Sequence, residues 1–219
     1  YVKYTQRGAL PHIRSLKVER RDECVLLDAA SQRNLELVTN LAGGKELTLA
    51  SVIDKTFTPM GSRLLRRWLL RPIRDRTMLR ERQGAIATFL ENHHYESLQT
   101  FFNSVGDIER IGARIALRSA RPRDLITLRS TLEILPSLKN ALVSLDHPKI
   151  IALNSQLGDY TELHQQLVKA IVENPPVVIR DGGVIADGYD VELDELRALS
   201  EQSNDFLVQL EIRERQRTG

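Results

Sequence analysis

Thr58-Pro59-Met60-Gly61-Ser62-Arg63-Leu64-Leu65-Arg66-Arg67-Trp68-Leu69-Leu70-Arg71-Pro72-Ile73-Arg74-Asp75 is the stretch whose reading decides the fold. Thr58 has the side chain of a helix N-cap, and Pro59 suits the first turn because its missing N–H would be unpaired there anyway. Met60, Leu64, Leu65, Trp68 and Leu69 then recur on a 3.6-residue period, so the segment predicts a helix with one apolar stripe. Pro72 ends it, and Asp75 is placed to cap the next helix. From Lys55 to Arg82 there are nine basic residues against Asp75 and Glu81, a local balance of +7 in a chain whose net charge is only +2. The positive charge is therefore concentrated on this helix pair.

Helical patterns continue outward. Residues 75–91 carry Met78, Leu79, Ile86, Phe89 and Leu90 on one side. Asp107 can cap a helix with Ile108, Ile111 and Ile115 inward, and Leu125, Leu128, Leu132 and Leu135 form a further stripe. Residues 161–172 place Leu163, Leu167 and Ile171 on one face. Pro136 and Pro148 read as breaks, each in the first turn of a successor helix. Short strands are expected at 15–19 and 24–27 around Arg20-Arg21-Asp22. A hairpin is expected after Pro175-Pro176, with 177–179 and 184–186 flanking Asp181-Gly182-Gly183. Asp190 then caps a long helix whose stripe of Leu193, Leu196, Phe206, Leu207 and Leu210 is narrow. Eight acidic and three basic residues between 190 and 215 give it −5, the signature of an exposed arm. The expected fold is mainly α: an irregular multi-helix bundle with two short β elements and a long, partly protruding C-terminal helix. Its expected divisions are a lead-in at 1–28, a helical core at 29–176, and a hairpin with the first arm at 177–219.

Several functions find no support in the residues. No run approaches the roughly 20 apolar residues of a membrane helix, and residues 1–14 lack the apolar core of a signal peptide. The single cysteine, Cys24, allows no internal disulfide and fits a reducing cytosol. Gly43-Gly44-Lys45 is no phosphate loop, because Thr39 stands where the first glycine belongs and Glu46 would repel a phosphate. Adjacent His93 and His94 point to different sides of a helix and cannot converge on one metal ion. No nucleophile constellation is present, so catalytic, cofactor and metal residues are all expected to be absent. Trp68, the only tryptophan, is expected to pack in the core. Phosphate-facing arginines would give salt-dependent DNA binding; alternatively their stems pad the bundle and their heads pair with neighbouring carboxylates. Charge at opposite ends also fits a stand-alone helical protein-interaction scaffold.

Four ordered blocks narrow these alternatives. Pro11-His12-Ile13-Arg14 leads to Leu27-Asp28-Ala29-Ala30, Arg33-Asn34-Leu35-Glu36 and Gly43-Gly44. The Thr58-to-Asp75 stretch follows. Next come Asp107-Ile108-Glu109-Arg110, Ala113-Arg114 and Arg121-Pro122-Arg123-Asp124-Leu125. Last are Pro175-Pro176, Asp181-Gly182-Gly183-Val184-Ile185, Gly188-Tyr189, Leu193-Asp194-Glu195 and Arg213-Glu214-Arg215. Together they resemble the core, or lever, region of the bacterial MutS family of DNA mismatch-repair ATPases. The family's mismatch-reading Phe-x-Glu is matched only by Phe89-Leu90-Glu91 at a predicted helix end, out of context, and its Walker A loop is missing. The resemblance thus implies an internal fragment, lever plus the start of the clamp arm, linking DNA binding to ATP-driven motion. It implies for the parent protein ATP and Mg, mismatched double-stranded DNA, a homodimer, a MutL-type repair partner, no membrane, and a cytoplasmic, nucleoid-associated location. Candidate DNA-backbone contacts are Arg63, Arg66, Arg67 and Arg71; candidate hinges are Gly43, Gly44, Gly182, Gly183 and Gly188.

Overall fold

The structure is a computed structural model that describes Val18 and residues 21–218. Short helices α1 (Ala29–Asn34) and α2 (Leu49–Ile53) precede α3 (Pro59–Leu70) and α4 (Arg76–Leu90). Then come α5 (His94–Ser104), α6 (Ile108–Ala116), α7 (Pro122–Val143), α8 (Pro148–Gln156), α9 (Thr161–Ala170) and α10 (Val191–Thr218). The expected caps are in place. Thr58 Oγ1 accepts from Gly61 N at 3.0 Å, Asp75 Oδ1 from Thr77 N at 2.8 Å and Asp107 Oδ1 from Arg110 N at 3.3 Å. Each satisfies an amide that the first turn leaves without a partner.

Helix α7 is the spine. Its C-terminal half packs into a core of Ala85, Leu98, Leu138, Leu145 and Ile150, flanked by Phe89, Phe101, Phe102, Leu135 and Leu142. Its N-terminal half packs Leu125, Ile126, Leu128 and Leu132 against a second cluster of Leu167, Ala170 and Ile171, joined by Val184 and Ile185. The stripe at 125, 128, 132 and 135 is therefore real and spans both clusters. Pro136, expected to break the chain, lies inside α7. Interior proline costs about 3 kcal/mol, whereas burying a leucine contributes about 1.5–3 kcal/mol. Leu132, Leu135 and Leu138 around it together outweigh the lost hydrogen bond.

The chosen face of α4 is corrected too. Met78, Leu79, Ile86 and Leu90 are exposed, and Ala85 with Phe89 faces the core. Close approach selects the small face: a Cβ on Gly84 would sit 2.6 Å from His147 Nε2, at the start of α8.

Neither β element forms as expected. The 15–19 strand lies outside the described residues except for Val18, which is exposed. Cys24 makes one isolated bridge, to Ile73, with Val25 N donating to Pro72 O at 2.8 Å and Arg74 N to Glu23 O at 3.0 Å. The 24–27 segment thus pairs at Cys24 and Val25 with the α3–α4 linker. After Pro175-Pro176 there is no hairpin. A 3-10 turn (Ile179–Asp181) carries the chain round, and Gly182 (φ +75°) and Gly183 (φ +67°) complete the reversal. Residues 184–186 then meet the end of α9: Val172 N donates to Val184 O at 3.1 Å and Ala186 N to Ala170 O at 2.9 Å. Ile171 and Ile185 bury more apolar surface in the second cluster than 177–179 could offer, since Val177, Val178 and Ile179 all stay exposed.

Candidate functional site

The arginines of α3 fall into distinct environments. Arg63 reaches across to the N-terminus of α6. Its Nη1 and Nη2 each donate to an Asp107 oxygen at 2.7 Å, and Nη2 also meets Glu109 Oε2 at 2.5 Å. Arg66 lies 3.6 Å from Asp54, whose carboxylate also accepts from Ser62 Oγ at 2.5 Å and Thr56 Oγ1 at 2.6 Å. Arg67 is exposed and has no ion-pair partner among the described residues. Arg71 follows the helix, its N–H donating to Arg67 O at 3.0 Å, with its side chain exposed. Two of the four arginines, Arg63 and Arg66, are thus paired within the fold. A planar guanidinium chelating one carboxylate is the strong form of an ion pair. Here it fixes α3 on α6.

The Arg63 hydrogen bonds hold the Asp107 carboxyl below its ordinary value of 3.8, against the opposing effect of burial, with the Arg110 amide helping. Ser62 and then Thr56 do the same for Asp54. A folded-state pKa below the unfolded one gives stability that is full above the ordinary value and lost as pH falls through the folded value. Replacing Arg63 with Gln should consequently destabilise the chain near neutrality, and the gap from wild type should close on acidification below pH 3.8. Urea unfolding of both proteins across the acid range checks this; a gap that stays constant would rule the Asp107 pairing out.

Trp68 is not in the core. It is 39% exposed, with the Arg82 guanidinium 3.8 Å from its ring centroid. Polar links at Ser62, Arg63 and Arg66 tie α3 to the end of α2 and the start of α6. Trp68→Ala should cost no more than about 1–2 kcal/mol, set by partial burial and one exposed cation–π contact, instead of the roughly 3–5 kcal/mol of a buried tryptophan. Chemical denaturation measures it, and a loss above about 3 kcal/mol would return Trp68 to the core.

The second region is the base of the long arm. Arg197 of α10 donates to Ile185 O at 2.8 Å and to Asp187 Oδ1 at 2.7 Å. Asp194 Oδ2 accepts from Gly188 N at 2.7 Å, and Asp190 Oδ1 caps the helix at Leu193 N, 3.1 Å away. The arm is thus anchored by its first turns to the 185–188 segment. Gly182 and Gly183 sit just before that anchor and Gly188 (φ +78°) within it, none with a neighbouring atom within 4 Å of a built Cβ. In the other glycine pair Gly43 (φ +89°) is likewise open, whereas Gly44 N donates to Asn40 Oδ1 at 2.7 Å and a Cβ there would lie 2.5 Å from Glu46 Oε2.

Sequence reasoning missed the acceptors of Arg63 and the anchoring role of Arg197. Asp107 looked like a cap and nothing more, and no local spacing connects it to a residue 44 positions earlier. Phe89 of the Phe89-Leu90-Glu91 tripeptide packs against the first core cluster, at the end of α4. Among the described residues no three His, Cys, Asp or Glu side chains gather to hold a metal ion. No described helix is long and apolar enough to cross a membrane.

The family model for MutS domain III matches residues 30–216, from the first helix to the last turn of the arm. That domain is part of DNA mismatch-repair proteins. With the match covering both core clusters, the α3–α6 junction and the arm, the chain belongs to the MutS domain III family.

Proposed function

We propose that this chain is the linking core of a mismatch-repair ATPase, joining DNA engagement to nucleotide-driven motion elsewhere in the parent protein. The observation that carries it is the arm. Helix α10 runs 28 residues, about 42 Å at 1.5 Å per residue, and Arg197 and Asp194 tie it to the body near its start. A stiff rod fixed at one end moves its far end when the base turns. Gly182 and Gly183 are the hinge positions this reading favours, since they precede the anchor and take positive φ, whereas Gly188 is held within the anchor by Asp194. The Arg63–Asp107 chelate supports a body that turns as one piece. The consumption of Arg63 and Arg66 in internal pairs argues against α3 as the main DNA contact, leaving Arg67 as the position on it suited to a phosphate. ATP with Mg, the homodimer, the clamp, the MutL-type partner and a cytoplasmic location belong to this reading of the parent, with catalysis outside the present chain.

Fluorescence anisotropy with matched and singly mismatched duplexes over a salt series tests where recognition lies. Weak binding without mismatch preference is expected; clear preference would place mismatch reading inside this chain and sink the proposal. In the full-length parent, Gly182→Ala with Gly183→Ala should reduce DNA-stimulated ATP turnover several-fold while basal turnover holds. Unchanged stimulation would remove the hinge assignment.

A further inference from the structure

From α1 to the start of α4 every carboxylate is tied into a local hydrogen bond. Glu36 Oε1 accepts from Leu41 N at 2.8 Å and Glu46 Oε2 from Lys45 N at 3.1 Å. Asp54 holds Thr56, Ser62 and Arg66, and Asp75 caps α4. Over the same span Lys45, Lys55, Arg67 and Arg74 are exposed, and none has an ion-pair partner among the described residues. Asp54 is thus spent on Arg66 and Glu46 keeps its charge beside Lys45, while Lys55, Arg67 and Arg74 leave the span with an excess of outward cations.

An uncovered apolar set lies within that surface. On α2, Leu49 (42% exposed), Val52 (65%) and Ile53 (42%) stand at i, i+3 and i+4, which is one helix face. Phe57 (45%) follows and Leu47 (87%) precedes. Leu47 is held at φ +53°, a conformation that disfavours a leucine. The backbone is locked there by reciprocal bonds between Thr48 and Ser51 and by Asn40 Nδ2 donating to Glu46 O at 3.1 Å. Thr48 itself is buried at 1% exposure, and Leu47 beside it stands outward. Lys45 precedes and Lys55 follows the apolar set along the chain.

We propose that the α2 face is a docking surface for an acidic amphipathic helix of a partner protein. The partner's apolar stripe would lie on Leu49, Val52, Ile53 and Phe57, and its flanking carboxylates would face Lys45 and Lys55. Charge complementarity selects an acidic occupant. The large exposed aliphatic side chains select protein over nucleic acid, because a phosphate backbone has nothing to bury them against. This assignment stands independently of the linking role, since a helix can dock on α2 whether or not the arm transmits motion.

The test uses the full chain and a fluorescein-labelled helical peptide with leucine at i, i+3, i+4 and i+7 and glutamate at the flanking positions. The same peptide with lysine flanks is the control. The glutamate peptide should bind at least about tenfold more tightly than the lysine peptide. Val52→Asp should weaken it by about tenfold or more, and K45E with K55E should invert the preference between the two peptides. All three residues are exposed, and circular dichroism verifies the fold; should Val52→Asp unfold, the charge inversion still decides. Equal affinity for both peptides would overturn the proposal. So would displacement of the peptide by duplex DNA with no effect of Val52→Asp, which would make the surface a nucleic-acid site. A dimer in sedimentation that Val52→Asp dissolves would likewise overturn it, placing a second copy on this face.

Discussion

Ile150→Ala lowers the unfolding free energy by about 2–5 kcal/mol, the range for truncating a buried aliphatic side chain. Ile150 is 1% exposed and meets Ala85 of α4, Leu98 of α5 and Leu138 of α7, with Leu145 beside it. The removed atoms lose their transfer free energy. Because the cavity is walled by side chains from separate helices, no one of them can move in without leaving another gap. Domains are stable by only about 5–15 kcal/mol, so the substitution takes a large share. Ile151, the next residue, is 53% exposed, and Ile151→Ala should change stability by about 0.5 kcal/mol or less. Urea unfolding of the two variants measures both. Equal losses would mean that α8 is rotated from its described position.

Gly106→Ala destabilises by about 1–3 kcal/mol through overpacking. A Cβ at this position would stand 2.1 Å from Thr127 Cγ2 on α7. Thr127 is β-branched on a helix and its hydroxyl already donates to Arg123 O at 2.9 Å, so turning it away breaks that bond. Moving the glycine instead stretches Gly106 N away from Thr131 Oγ1, 3.0 Å distant on a buried side chain. Thr127→Ala removes the obstructing methyl and should restore most of the loss. Gly112 supplies the opposite case. It lies inside α6 with no atom within 4 Å of a built Cβ, so Gly112→Ala should stabilise by about 0.5–1 kcal/mol. The same chemical change in two neighbouring glycines has opposite sign, and thermal denaturation of the pair checks it. A stabilised Gly106→Ala would show that α6 does not enter its helix against Thr127.

Those glycines also mark where sequence reading stops. Nothing local to Gly106 or Gly84 announces that another helix passes within contact distance. The same limit explains α4: Met78, Leu79, Ile86 and Leu90 are the large apolar residues, yet Ala85 and Phe89 face the core. Side-chain size favours burial only where the neighbouring helices leave room. At the candidate site the basic helix, its caps and its ends were legible. Its chemistry was not, because Arg63 is spent on Asp107 and Glu109, which lie 44 and 46 positions away. Arg197 read as one of three cations on an acidic arm, while in the fold it anchors that arm to Ile185 O.

The sequence by itself determined the helix starts at Thr58, Asp75 and Asp107, the stop before Pro72, the α7 stripe, the concentration of charge and the family. These are local matters: a cap is a bond across three residues, and a stripe is a period along one helix. Only the tertiary structure decided that Pro136 stays within α7, that Trp68 lies half-exposed under Arg82, and that residues 184–186 pair with the end of α9. For Pro136 and for residues 184–186 a local preference worth about 1–3 kcal/mol met the summed burial of several side chains from distant segments. The sum won because burial accumulates across the core while a local preference acts once.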